Sequence, residues 1–372
     1  MTAVNGLRHG AELRLNRITK MYGAVAAVDN LDLTVAPGEF VTLLGASGSG
    51  KTTTLMMLAG FTSPTSGEIN IGGRDVTNLP PGKRNLGVVF QNYALFPHLT
   101  VAQNLAFPLQ MRGVDGRSIS TAVKQALELV RLPEKHGSFP RELSGGQQQR
   151  IALARAIIFQ PQALLMDEPL GALDKNLREH MQSEIKQIHK SLGATVVFVT
   201  HDQEEALTMS DRIAVMHNGS IAQIDAAEAV YERPATRWVA EFIGQSNFLS
   251  GQIVSRSGES YLVALGSGER IIAQGPANLP IGQQVLGVLR PESVRVAPQN
   301  KTGTANRINA KIVGVLYFGH TIKLRVRLGD GSELITQATR DGQTTIPEMG
   351  SDLSVVWDPT SVWLVHASKA AA

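Results

Sequence analysis

Apolar positions in the first 240 residues follow two alternating patterns. Short continuous runs, Glu39 to Leu44, Leu86 to Phe90, Ala163 to Met166 and Thr195 to Thr200, are rich in β-branched residues and too short for buried helices. Longer stretches with helical spacing separate them, at Thr53–Ala59, Ile151–Phe159 and Lys175–Leu192. Strand–helix alternation of this kind predicts an α/β layer built on a largely parallel sheet. The segment from about 92 to 160 is mostly helical in pattern and predicts an inserted helical lobe. Beyond Trp238–Phe248 the helical spacing stops. Alternating strands are expected instead at Asn247–Val254, Tyr261–Leu265, Val285–Val296, Ala310–Val315, Thr321–Leu328 and Leu353–Trp357, separated by glycine-rich turns. That pattern predicts a small all-β, barrel-like domain over 241–372, split by a polar loop at Pro298–Asn306.

Composition narrows the classes. Over 372 residues, 43% are hydrophobic and 18% charged, enough apolar material for two globular cores. The net charge of +3 is spread along the chain without basic runs, so nucleic acid is not an expected partner. With no cysteine, thiol chemistry and disulfides are excluded. No secretory leader is legible in the first residues, and no apolar run reaches the ~18 residues of a membrane span. A soluble or peripheral protein is expected.

Gly45-Ala46-Ser47-Gly48-Ser49-Gly50-Lys51-Thr52 follows the apolar run Phe40–Leu44 and precedes the helix Thr53–Ala59, with Gly60 placed as its C-cap. A glycine-rich strand-to-helix turn ending in Lys-Thr cradles phosphates on backbone N–H groups at the positive helix end. Lys51 can reach β- and γ-phosphates, the Thr52 hydroxyl can ligate Mg²⁺, and Thr53 continues the cradle into the helix. Such a loop alone fits kinases, GTPases and ATPases equally.

The run Ala163 to Met166 ends in Asp167-Glu168-Pro169. Strand alternation would turn the two acids to opposite faces, giving Asp167 a metal-holding role and Glu168 the task of polarising an attacking water. His201 follows the run Thr195–Thr200, at a strand end where open α/β sheets bind ligands, and can hold Glu168 and the water in line. Gln91, after Leu86–Phe90, can likewise reach Mg²⁺ or the water.

Ser144-Gly145-Gly146-Gln147 opens the helix that contains Ile151–Phe159, with Ser144 as N-cap and two glycines exposing backbone N–H groups. This is a second anion cradle, and one nucleotide cannot easily fill both cradles of one subunit. Two copies related by a two-fold axis would let each cradle close on the γ-phosphate held by its partner.

With these motifs the chain resembles the ATP-binding-cassette (ABC) ATPases over essentially its whole length. The resemblance implies that Gly45–Thr52 is Walker A, Gln91 the Q-loop, Leu143–Gln147 the signature, Met166-Asp167-Glu168 the end of Walker B, Leu173-Asp174 the D-loop and His201 the switch histidine. Tyr22 looks like the aromatic residue that stacks on adenine, and base stacking is sequence-tolerant. Gly171 departs from the serine common at its place in the family. The text around Gln91–Val101 and His201–Arg212 is similar to bacterial importer ATPases, nearest to those for polyamines (spermidine/putrescine). Importer ATPases for iron(III), opines, phosphonates or sugars share much of it, and a soluble non-transport ABC ATPase is the further alternative. The implied partners are a second copy, two transmembrane permease subunits and, indirectly, an extracytoplasmic solute-binding protein. The implied place is peripheral, on the cytoplasmic face of the inner membrane, with ATP and Mg²⁺ as ligands.

Overall fold

The computed structural model describes residues 10–171, 173–297, 306–339 and 348–367, and it divides into two units that meet at Ala227/Glu228. The first unit begins with β1 (Leu13–Tyr22), β2 (Val25–Val35), β3 (Phe40–Leu44), α1 (Lys51–Ala59), β4 (Ser66–Ile71), β5 (Arg74–Asp75) and β6 (Leu86–Val89). The helices α2 (Val101–Gln110), α3 (Gly116–Leu129) and α4 (Gly145–Ile157) follow. The unit is completed by β7 (Ala163–Asp167), α5 (Lys175–Leu192), β8 (Thr195–Thr200), α6 (Gln203–Met209), β9 (Arg212–His217) and β10 (Ser220–Ala226).

Its main sheet has the order β10-β9-β3-β8-β7-β6 and is parallel except at the β10–β9 edge. Every residue of β3 and β8 is buried, which explains their predominantly apolar text: a sheet covered on both faces favours apolar side chains on both. The register aligns the C-terminal ends, pairing Leu44 with Thr200, Asp167 with Val199 and Val89 with Met166. The loops carrying the candidate residues therefore leave the sheet along one edge. A second, antiparallel sheet, β2-β1-β4-β5, was not foreseen. Leu13, Leu15 and Ile18 from it share a core with Val41, Leu43 and α1. The helical lobe has its own core around Val101, Leu105, Leu127 and Ile151.

The second unit starts with α7 (Ala227–Glu232) at the junction and α8 (Arg237–Phe242), then β11 (Asn247–Ser257), β12 (Ser260–Leu265), β13 (Arg270–Gln274), β14 (Gln284–Leu289) and β15 (Arg295–Ala297). It continues with β16 (Asn306–Phe318), β17 (Thr321–Leu328), β18 (Glu333–Thr339), β19 (Asp352–Trp357) and β20 (Val362–His366). The order β11-β12-β13-β20-β14 closes a barrel, and β15-β19-β16-β17-β18 forms a sheet beside it. The all-β expectation holds, with two differences. Two short helices belong to this unit, so the division lies ahead of the change of pattern near 240. The buried Arg290 explains their allegiance: its guanidinium donates to the carbonyls of Tyr231, Ala240 and Ile243, fastening both helices to the end of β14. The strand expected over Val285–Val296 is broken by a 3₁₀ turn at Pro291–Ser293, since proline has no N–H to give a ladder. Its two halves join different sheets. The polar loop at Pro298–Asn306 lies, apart from Asn306, outside the described residues.

Candidate functional site

Five buried residues of β3 deliver the chain into Gly45. A Cβ on Gly45 would collide with Ser49 Oγ and the Met216 carbonyl, so only glycine fits where the loop turns back on itself. Gly48 and Gly50 hold φ of 81° and 99°, left-handed values that a side chain would strain. Gly50 is also the N-cap of α1 and offers no side-chain hydrogen bond, so the first-turn N–H groups have no cap of the chain's own. Ala46, Ser47 and Gly48 are exposed at the rim. Ser49 is buried with an unpartnered Oγ. Lys51 curls into the loop, its Nζ donating to the carbonyls of Gly45 (2.8 Å) and Ala46 (2.9 Å). Burial lowers its pKa, opposed by Glu168 and Asp167. A desolvated ammonium and an orphaned hydroxyl inside a ring of backbone N–H groups suit a phosphate chain. Arg84, unremarked in the sequence, is buried at the far end of α1 and donates to the carbonyls of Met57 and Leu58. It seats the helix through its negative end.

Thr52 is exposed, and its hydroxyl donates to Asp167 Oδ1 at 3.1 Å. Asp167 closes β7, and its pKa is raised by burial and by Glu168, against the Thr52 hydrogen bond and Lys51. A hydroxyl beside a carboxylate that burial leaves short of positive charge is a hard-oxygen pair of the kind Mg²⁺ selects. Among the described residues there is no cluster of three or more His, Asp and Glu side chains able to hold a metal, so any cation here would rest on few protein donors.

Glu168 does not follow the strand alternation expected of it. β7 ends at Asp167, and Glu168 takes a left-handed φ of 42° while its N–H donates to the Val199 carbonyl. The separation of the two acids thus comes from a backbone kink at the strand end rather than from pleat. Its carboxylate lies 3.2 Å from His201 Nδ1 and accepts from Gln91 Nε2 at 3.4 Å. Gln91, Glu168 and His201, 110 positions apart at the extremes, meet because β6, β7 and β8 are parallel neighbours. The chain after Gln91 is held by Arg155 of α4, which donates to the carbonyls of Tyr93 (2.9 Å) and Ala94 (2.8 Å), both residues having positive φ. Arg155 escaped the sequence reading because a lone arginine on a helix carries no local signal.

Tyr22 ends β1 and is 54% exposed, so it is free of the core and its ring is available for stacking. Lys20 Nζ lies 5.2 Å from the ring centroid. Ser144 is the N-cap of α4 as expected, and Gln147 completes a capping box: Gln147 N–H donates to Ser144 Oγ, and Ser144 N–H to Gln147 Oε1. α4 starts at Gly145, where the Ser144 cap predicts it, and ends at Ile157, two residues short of Phe159. Gly145 is exposed, but Gly146 is buried, and a Cβ there would press within 3.0 Å of Leu177. The two glycines therefore differ: one faces outward, the other lets α4 approach α5.

Comparison with known proteins agrees with this layout. The ABC transporter family model matches residues 28–171 and the TOBE domain model residues 287–365. The spermidine/putrescine import ATP-binding protein PotA of Rubrobacter xylanophilus is 44% identical over 348 residues, covering 93% of this chain and 91% of its own. PotA of Pseudomonas aeruginosa (strain UCBPP-PA14) is 45% identical over 360 residues, covering 95% and 99%. The dimeric bacterial ABC transporter cassette MJ0796 superposes with a TM-score of 0.53 at 33% identity, over 58% of this chain and 98% of that one. The same cassette in a post-hydrolysis state with ADP and Pi gives a TM-score of 0.52. From its phosphate loop to its final barrel, the chain belongs to the ATP-hydrolysing subunits of ABC transporters.

Proposed function

We propose that this ATPase powers polyamine import, working as a pair of identical subunits on the cytoplasmic face of a permease. The relatives named for spermidine and putrescine import align over more than nine-tenths of the chain, which supports the substrate class. No helix among the described residues is long and apolar enough to cross a membrane, so two permease subunits would supply the path and a solute-binding protein the recognition.

The observation that carries the chemistry is the Gln91–Glu168–His201 group beside the Thr52–Asp167 pair. Gly45–Thr53 wraps the phosphates, and Tyr22 stacks on adenine. Lys51 trades its two carbonyl partners for phosphate oxygens. Glu168 orients and polarises the attacking water, His201 and Gln91 fix the carboxylate, and proton acceptance falls to Glu168 Oε1 or Oε2. Thr52, Asp167 and Gln91 would hold Mg²⁺, which would neutralise charge developing on the phosphate oxygens. The capped start of α4, Ser144–Gln147, meets the γ-phosphate of the partner's nucleotide, so hydrolysis requires closure of the pair.

The test is transport. A strain lacking this chain should lose uptake of labelled spermidine and putrescine, and regain it with the chain but not with Glu168→Gln. Permease subunits should co-purify from membranes. Unchanged polyamine uptake, or recovery of ribosomal material instead, would remove the importer reading while leaving the ATPase assignment intact.

A further inference from the structure

The switch histidine and the D-loop stand at the starts of two helices, α6 and α5, and these helices are joined side by side. On α5, Arg178, Gln182 and Lys186 recur every four residues along one face. Lys186 Nζ donates to the Thr208 carbonyl at 2.7 Å, and Thr208 Oγ1 reaches Gln182 Oε1 at 3.4 Å, both near the end of α6. At the functional end the contact is charged. Arg178 Nη1 donates to Asp202 Oδ2 at 2.8 Å, and Nη2 to the Leu173 carbonyl at 3.2 Å. Its Nε lies 3.7 Å from Glu205 Oε1.

Each of these partners is itself fixed. Asp202 directly follows His201, and its other oxygen, Oδ1, caps α6 by accepting from the N–H groups of Glu204 and Glu205. Thr200, directly before His201, accepts from the Asp202 N–H while its hydroxyl donates to Glu205. Glu205 is only 2% exposed, and burial raises its pKa. Asp202, directly after His201, is therefore bonded to the same guanidinium that holds the carbonyl of Leu173 in the D-loop, while Thr200, directly before it, is tied to that guanidinium only through Glu205.

We infer that Arg178 is a positioning residue that locks the D-loop to the switch-histidine loop, so that a displacement of Leu173-Asp174 is delivered to His201 and through it to Glu168. Rigid charge-assisted hydrogen bonds at both ends make the two loops one body. That Leu173-Asp174 faces a second subunit is what the resemblance to ABC ATPases implies of a D-loop, and the role of His201 rests on the proposed function. The lock itself does not, because it is formed within one chain.

The experiment uses the full-length protein with ATP as the varied substrate. Arg178→Ala should lower kcat about tenfold or more while the KM for ATP stays within about twofold, since only alignment at the water is lost. Arg178→Lys keeps a cation but not the forked geometry and should recover only part of the loss. Asp202→Asn retains the Oδ1 cap yet loses the ion pair, so it should reproduce the Arg178→Ala defect, and the double variant should be no slower than either single. Two outcomes overturn the inference: a kcat within twofold of the parent in Arg178→Ala, or independent, multiplying defects in the double variant. Should Arg178→Ala be too unstable to assay, Arg178→Lys and Asp202→Asn decide the matter by the same comparison. Glu168→Gln, run in parallel, separates the two readings: full turnover there sinks the catalytic assignment, whereas its loss together with a normal Arg178→Ala sinks only the lock.

Discussion

Two glycine-bearing loops open helices in the same unit, and they treat the helix N-terminus in opposite ways. At α1 the cap is Gly50, in a left-handed conformation and with no side chain to offer the first turn. At α4 the cap is Ser144, whose hydroxyl, together with the Gln147 amide, already occupies the first turn. The first loop is bent by three glycines into a cradle that is short of acceptors, so its preferred partner is an anion. In the second, Ser144 Oγ already takes the Gln147 N–H, and on the proposed function the Ser144–Gln147 contacts would be exchanged for an incoming phosphate. On that reading, a standing binding site and one that acts only on closure differ in how their caps are made. The lesson extends to glycine: Gly45 and Gly50 serve the loop's own path, Gly145 an open face, and Gly146 the packing of α4 on α5.

The sharpest way to break the comparison is chemical. Glu168→Gln should bind ATP normally while hydrolysis falls about a hundredfold or more, the usual cost of losing a general base. It should also accumulate an ATP-bound dimer on size-exclusion chromatography, and near-parental turnover would take Glu168 out of the mechanism. Next in size is the pair that separates the two cradles. Lys51→Ala should weaken ATP binding even at protein concentrations too low for dimers, whereas Ser144→Arg should leave that affinity unchanged. Both should lose turnover, and parental activity should rise faster than linearly with protein concentration. Loss of monomeric ATP binding in Ser144→Arg, measured by nucleotide fluorescence, would make the two loops equivalent after all.

A smaller effect tests the glycines. Gly146→Ala should lower stability by about 1 kcal/mol through crowding of Leu177, read as a reduced urea midpoint. Gly145→Ala, whose added methyl would find Leu173 at 3.5 Å, should be close to silent. Equal losses would contradict the division of labour between them. The smallest effect is one of pH. Asp167 has a raised pKa in the folded chain, so folding favours its protonated form, and its charge costs stability as pH climbs above its ordinary value. The nucleotide-free Asp167→Asn variant should therefore melt above the parent, by a margin that grows between about pH 4 and pH 7. A margin that shrinks over that range would reverse the assigned environment.

Much of the site could be read from text alone because its signals are local. Gly45–Thr52 carries its turn, its helix start and its charge within eight consecutive residues. Ser144 and Gln147 declare a capping box at fixed spacing. The strands β3, β7 and β8 were legible because burial on both faces keeps their text mostly apolar, with polar residues confined to hydrogen-bonded threonines and the terminal Asp167. Local text did not reach Arg84, Arg155 and Arg290, which donate to backbone carbonyls far away in sequence, or Arg178, whose distant partner is the Asp202 carboxylate. Nor did it reach the barrel closure, where β20 pairs Leu364 with Gly287. The same holds for the Glu168 kink, a backbone state that no periodicity announces.

What the sequence determined by itself is therefore the set of parts: a phosphate loop, two acids, a capped helix, a glutamine and a histidine at strand ends, and a change from α/β to all-β. Those follow from propensity, capping and glycine freedom, which act over a few residues. Only the tertiary structure decided that Gln91, Glu168 and His201 share one carboxylate, that Thr52 meets Asp167, and that one guanidinium binds the loops of Leu173 and His201. Sheet order and register set those meetings, and they are fixed by the joint burial of strands whose paired residues, such as Val41 and Arg212, lie up to 171 positions apart in the chain.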